Sequence, residues 1–168
     1  AASAVGAAGA FVRTSPASSP QDQASGKKDP PGGSDEIRVA VIGLRGRGWN
    51  HTMGFARLPG VRVVALCDVD SEVLARRGAE CAAGGEKWAG FEVDLTGDPR
   101  TLLDRDDIDV IAIATPNHTH SMLACWALDA GKHVYCQKPL AHSVHECRAL
   151  REKAIANPNL ATQMGTQN

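Results

Sequence analysis

From Ile37 onward the chain alternates two kinds of hydrophobic pattern. Short runs rich in β-branched residues fall at Ile37–Ile42, Val61–Cys67, Val110–Ala114 and His133–Cys136, with a weaker one at Trp88–Val93. Apolar residues fill these runs instead of alternating with polar ones, which predicts strands of a parallel sheet covered on both faces. The stretches between them, Gly48–Leu58, Ser71–Ala83, His120–Ala130 and Ser143–Ala156, carry the helical period. Leu123, Trp126 and Ala127 share one face of the third, and Ala130-Gly131 supplies its C-terminal glycine signal. A new apolar element begins in the closing stretch NLATQMGTQN. Strand followed by helix, repeated, predicts an α/β fold with a Rossmann-type, doubly wound parallel sheet. Such a sheet takes its ligand at the carboxyl ends of its strands, near the topological switch.

Length and composition narrow this picture. The 168 residues suffice for one domain with a proper core. A net charge of -1 and the lack of a basic stripe argue against nucleic acid as a partner. No apolar run is long enough to span a bilayer. Five cysteines, with no C-x-x-C pair, indicate neither a zinc knuckle nor a redox dithiol nor a disulfide framework. Cys67 and Cys136 fall inside strand runs, where a buried, inert thiol is expected, with chemical use of Cys136 as the minor reading.

The first 35 residues have a different character. AASAVGAAGAFV looks like the hydrophobic part of an export signal, which predicts an exported, periplasmic protein. The alternative, a disordered Ala/Gly leader, leaves the protein in the cytoplasm. Residues 14–35 are rich in Ser, Pro, Gly, Gln and Asp and predict a flexible tether, with the dinucleotide-binding domain over 36–168.

The chemistry is expected where the strands end. After the first strand, Gly43-Leu44-Arg45-Gly46-Arg47-Gly48 has glycines at the first and third positions of G-x-G-x-x-G, with Arg45 in place of the middle one. A helix starting there would aim its N–H groups at a pyrophosphate, and Arg45 and Arg47 add positive charge beside it. Alone, this motif is as compatible with an ordinary surface turn. The second strand ends in Asp68-Val69-Asp70: Asp68 is placed to accept the hydroxyls of an adenosine ribose, and Asp70 or Ser71 to cap the next helix. Asp68 would repel a 2′-phosphate, predicting NAD over NADP. The fourth strand ends in Thr115-Pro116-Asn117-His118-Thr119-His120, polar residues that would line the cleft. His118 and His120, two apart and without a third ligand nearby, make a poor metal site, so no metal is expected. The fifth strand ends in Gln137-Lys138-Pro139, where the lysine suits proton transfer with a substrate hydroxyl, or is an ordinary turn lysine.

Taken in series, IRVAVIGLRGRGWNH, VVALCDVD, VIAIATPNHTH, AGKHVYCQKPLAHSVHE and ATQMGTQN resemble the glucose–fructose oxidoreductase / inositol dehydrogenase (Gfo/Idh/MocA) family from about Ile37 to the end. The resemblance implies a Rossmann domain followed by a second α/β domain that carries much of the sugar pocket and a proton-shuttling histidine. This chain is expected to lack that second domain, and so to bind NAD weakly and turn over little by itself. Position by position, the resemblance makes Gly43, Gly46 and Gly48 the phosphate loop and Asp68 the ribose ligand. It lays Thr115, Pro116 and Asn117 along the cofactor, with His120 near its nicotinamide end, and makes Lys138 the catalytic or substrate-orienting lysine. Two positions depart from the family pattern. Arg45 replaces a glycine, and Gln137 replaces an acid, keeping a hydrogen bond to the nicotinamide ribose but not a charge beside Lys138. The expected activity is NAD-dependent oxidation of a sugar, polyol or related carbohydrate by a protein that forms homo-oligomers. The alternatives are a redox-neutral NAD-dependent glycosidase and a non-catalytic dinucleotide-binding sensor.

Overall fold

The computed structural model describes residues 36–85 and 89–166. The leader and tether expected over 1–35 therefore lie outside the described residues. Among the described residues, six strands, β1 (Ile37–Ile42), β2 (Val61–Cys67), β3 (Asp94–Thr96), β4 (Val110–Ile113), β5 (His133–Cys136) and β6 (Thr162–Met164), form one sheet in the order β3-β2-β1-β4-β5-β6. Every pairing is parallel. The order reverses between β1 and β4, which makes this the Rossmann-type doubly wound sheet, with its switch point at those two strands.

Alternate residues of a strand face opposite sides, and here both sides are core. Val39 and Val41 of β1 pack with Met53 of helix α1 (Arg47–Phe55) and with Val73 and Cys81 of α2 (Ser71–Ala83). Ala40 and Ile42 pack with Leu123, Ala124 and Ala127 of α4 (His120–Asp129) and with Leu150 of α5 (Val144–Ala156). Asp70 caps α2 by accepting the N–H groups of Glu72 and Val73, and Ser143 with Glu146 forms a capping box on α5. A one-turn helix α3 (Arg100–Leu103) precedes β4, and a 3-10 turn at Asn117–Thr119 leads into α4.

Two elements fall elsewhere than the hydrophobic pattern places them. The weak run Trp88–Val93 is not the third strand, which starts at Asp94 and pairs with Ala65–Cys67. The chain first passes close against the end of α2, where a Cβ on Gly90 would stand 2.3 Å from the carbonyl oxygen of Ala82. The Phe91 N–H is spent on Cys81 O at 2.9 Å, and Phe91 and Val93 pack on the α1–α2 layer. Trp88 lies outside the described residues. The apolar element begun in NLATQMGTQN is β6, paired through Thr162–Met164 with Val134–Cys136.

At the starting end of the sheet, Asp109 is buried (4% exposed) and holds β1 to β4. It accepts the Arg38 backbone N–H at 2.7 Å and the Arg38 guanidinium at 3.0 and 2.7 Å. Burial alone pushes this carboxyl up; the Arg38 side chain and N–H, helped by Lys132, outweigh it and hold it below the usual carboxylate range. A carboxyl depressed in the folded state adds stability that is present above its unfolded value near pH 4 and lost as the pH falls through its folded value. Asp109→Ala strands the Arg38 charge and is expected to cost about 3 kcal/mol in urea unfolding at pH 7. The penalty should shrink steadily below about pH 4, where the parent loses the same interaction.

Candidate dinucleotide site

The glycine turn is built by steric exclusion. Gly43 ends β1 with φ at 87°, and its N–H donates to Cys67 O at 2.8 Å, tying the turn to the end of β2. A Cβ there would stand 2.7 Å from Ala114 O. Gly48, buried in the first turn of α1, is tighter still: its Cβ would fall 1.7 Å from Gly43 O. Gly46 is different. It takes φ 44°, which L side chains rarely adopt, but nothing lies within 4 Å of its missing Cβ. The turn thus packs tightly inward at Gly43 and Gly48 and opens outward at Gly46.

No side chain caps the N-terminus of α1, and no acidic residue sits in its first turn. The helices α2 and α5 have both. Gly48 N–H donates to Arg45 O at 3.0 Å, and the helix start has no side-chain cap, so its remaining N–H groups could hold the pyrophosphate of a dinucleotide. Arg47 is exposed on the same turn.

Beside the turn, the cleft of about 340 Å³ at the carboxyl ends of β1, β2 and β4 is lined by Gly43, Arg45, Asp68, Thr115, Pro116 and His118, among others. A larger cleft of about 510 Å³ opens at the opposite end of the sheet, among Ile37, Val61, Val110 and His133, and contains none of the strand-end residues. Asp68 is held by two backbone donors, Leu44 N at 2.8 Å on one oxygen and Asp70 N at 3.0 Å on the other. Each carboxylate oxygen has a second lone pair, so this fixed group can still accept two ribose hydroxyls. Val69, Pro99 and Met122 give the same cleft an apolar wall.

Arg45 is at the rim of the cleft and does not reach across it. Its exposed guanidinium pairs with Asp70, whose carboxyl the Val73 N–H and this arginine hold below the usual range. Exposed ion pairs contribute little. Arg45→Gly is therefore expected to change the Kd for NAD by less than about threefold in calorimetric titration. Loss of binding would make the arginine an essential ligand.

The end of β4 and the end of β5 are joined through His120. This side chain is 1% exposed, with Nδ1 2.7 Å from Pro139 O and Nε2 2.8 Å from Thr115 O. A neutral ring donates to one of them at a time. His120 thus meets the site through these two loops, while His118 stands exposed at the cleft. The Thr119 hydroxyl donates to Thr115 Oγ1 at 2.7 Å, bracing the same loop, and Asn117 opens the 3-10 turn. Gln137 is buried, its N–H donating to Ile113 O at 2.8 Å, and Lys138 next to it is exposed on the β5 end. The Lys138–Pro139 peptide is cis. Neither Gln137 nor Lys138 lines the 340 Å³ cleft; they stand farther along the row of strand ends.

The family model described as oxidoreductase family, NAD-binding Rossmann fold, matches residues 37–165. The chain belongs to the Gfo/Idh/MocA family. Among Gfo/Idh/MocA-type relatives, it is 43% identical over 117 residues to the glycosyl hydrolase family 109 protein 2 of Shewanella sp. strain ANA-3, a match covering 67% of this chain and 25% of that protein. It is 36% identical over 124 residues to the levoglucosan dehydrogenase of Pseudarthrobacter phenanthrenivorans, covering 74% of this chain and 31% of the relative. The crystal structure of myo-inositol 2-dehydrogenase from Lactobacillus plantarum superposes with a TM-score of 0.69 at 27% identity, covering 77% of this chain and 36% of that one. The chain therefore spans roughly a quarter to a third of the relatives it matches, the part that in the Gfo/Idh/MocA fold is the NAD-binding domain.

Within this Gfo/Idh/MocA domain, burial pushes the Cys67 and Cys136 thiols each up to about 12, with Asp68 and Asp98 adding to the effect on Cys67. Both are buried at 1% exposure, which disfavours the reactive thiolate form. One residue of the site has no signal in the strand-end pattern. His51, one turn into α1, places Nε2 2.7 Å from Gln137 Oε1. Only its position in a sequence-predicted helix opposite the β5 end could have marked it.

Proposed function

We propose that this domain is the nucleotide-binding part of an NAD-dependent oxidoreductase acting on a sugar, polyol or related carbohydrate. The observation that carries the reading is Asp68, fixed by the glycine turn's own N–H at the edge of the cleft, with Lys138 on the same row of strand ends. Asp68 accepts the adenosine ribose hydroxyls, the uncapped start of α1 takes the pyrophosphate, and Thr115, Pro116 and Asn117 run beside the path toward β5. Bound NAD supplies the hydride acceptor. Lys138 receives the proton of the substrate hydroxyl, and Gln137 hydrogen-bonds the nicotinamide ribose without setting a charge beside the lysine.

The fixed carboxylate at Asp68 selects NAD over NADP, because a 2′-phosphate would meet a like charge. The 43% identity to a glycosyl hydrolase family 109 protein favours a second reading on the same site: transient oxidation, elimination of the aglycone, addition of water across the double bond so formed, and return of the hydride to the ketone. The experiment is a panel of free sugars, polyols and aryl glycosides given to the full-length protein with NAD. Net NADH formation establishes the dehydrogenase, and release of aglycone without NADH establishes the redox-neutral reaction. Binding of NAD with neither would leave only a nucleotide-binding role.

A further inference from the structure

We infer that His51 is a positioning residue that couples the phosphate-turn helix to the Lys138 turn by fixing Gln137. The inference rests on the reading of Gln137 and Lys138 given above. The contact joins side chains 86 residues apart in sequence, His51 Nε2 to Gln137 Oε1 at 2.7 Å. Both partners are constrained. Gln137 hangs from a backbone whose N–H is bonded to Ile113 O, and its side chain lies in a residue 7% exposed. The imidazole stands edge-on to Tyr135 of β5, with centroids 5.1 Å apart at 73°, and near Phe55 at 6.3 Å.

The position of His51 in α1 gives the contact its consequence. It lies one turn after Gly48, whose contact with Gly43 fixes where the helix starts. A shift of α1 on seating an anion at its N-terminus is therefore passed through one hydrogen bond to the residue before Lys138. On the other side, the carbonyl of Pro139 meets His120 Nδ1. The lysine is thus flanked by two tethers, one from α1 and one from α4. His120 is buried at 1% exposure, whereas His51 is only half-buried.

A glutamine oxygen accepts, so the bond requires the proton on His51 Nε2 and selects that tautomer. Nitrogen-15 NMR of the histidines in this chain tests the bond directly. His51 is expected to populate the Nε2–H form, and Gln137→Ala to release it to a mixture of tautomers. In the full-length protein with NAD and its carbohydrate, His51→Ala is expected to lower kcat about tenfold while KM for NAD moves less than about threefold. His51→Gln, whose amide can donate from the same place, restores most of kcat. His51→Ala added to Gln137→Ala has little further effect. Fully additive losses, an unchanged kcat, or an unchanged tautomer population would overturn the inference. The two readings separate at Lys138→Ala. If that variant keeps its turnover, the proposed function falls and this inference with it. If it loses turnover while the His51 and Gln137 losses simply add, only this inference falls.

Discussion

Replacing Gly48 with alanine is expected to abolish NAD binding and to destabilise the domain. The added Cβ would lie 1.7 Å from the carbonyl oxygen of Gly43 and 3.2 Å from the Ala114 side chain. Neither the Cβ nor the carbonyl can rotate away, so relief requires α1 to move off the end of β1. That movement opens contacts of the α1 layer, including Met53 with Val39 and Val41, and removes the N–H groups of the turn from their place at the cleft. The expected cost is at least about 3 kcal/mol, seen as a rise of two orders of magnitude or more in the Kd for NAD or as a large fall in Tm. Gly46→Ala is the control. It meets only the backbone strain of φ 44° and ψ -105°, about 1–3 kcal/mol, with open space around the new methyl. Calorimetric titration and thermal unfolding of both variants check the contrast. If Gly46→Ala were the more damaging, the turn would be held by its outward face and not by the packing of α1 on β1.

Lys138→Met in the full-length protein is expected to reduce kcat by about 10²–10⁴-fold, the range for loss of a positioned general base or acid. The Kd for NAD should change little, because Lys138 is outside the cleft at the ends of β1, β2 and β4 and exposed on the neighbouring strand. The split between the two measurements matters. Loss of NAD affinity without loss of kcat would make Lys138 a ligand for the cofactor, and a fall in kcat below tenfold would leave the proton to another group. Methionine keeps the apolar length of the stem, so a structural explanation for a large loss is weak.

Much of the fold is legible in the sequence because burial is redundant there. Val39 and Val41 on one face of β1, with Ala40 and Ile42 on the other, leave no solvent side, and a strand buried twice must be central and parallel. The glycine turn is equally local, since positive φ at Gly43 and Gly46 and close approach at Gly48 demand residues without a Cβ. The N-cap of α2 follows from Asp70 within three residues of the N–H groups it accepts. The third strand is less legible. Phe91 and Val93 have strand-like composition, but they pack on α2 and β2 before the chain reaches the edge of the sheet. Composition says only that they are buried, not whether a ladder or a helix covers them.

By itself the sequence determined the alternation of strand and helix, the conformation of the glycine turn and the residue type at each strand end. These depend on neighbours within a few positions, through φ preference, side-chain period and capping. The tertiary structure alone decided which of those residues meet. It bonded Asp68 to the N–H of Leu44, paired Arg45 with Asp70, closed His120 between Thr115 and Pro139, and set His51 against Gln137. Each of these pairs except His120 with Thr115 spans 19 or more residues, and a hydrogen bond is satisfied only at about 3 Å with the donor aligned. No local pattern carries that information: strand order and register bring the partners together, and they are products of the packed core.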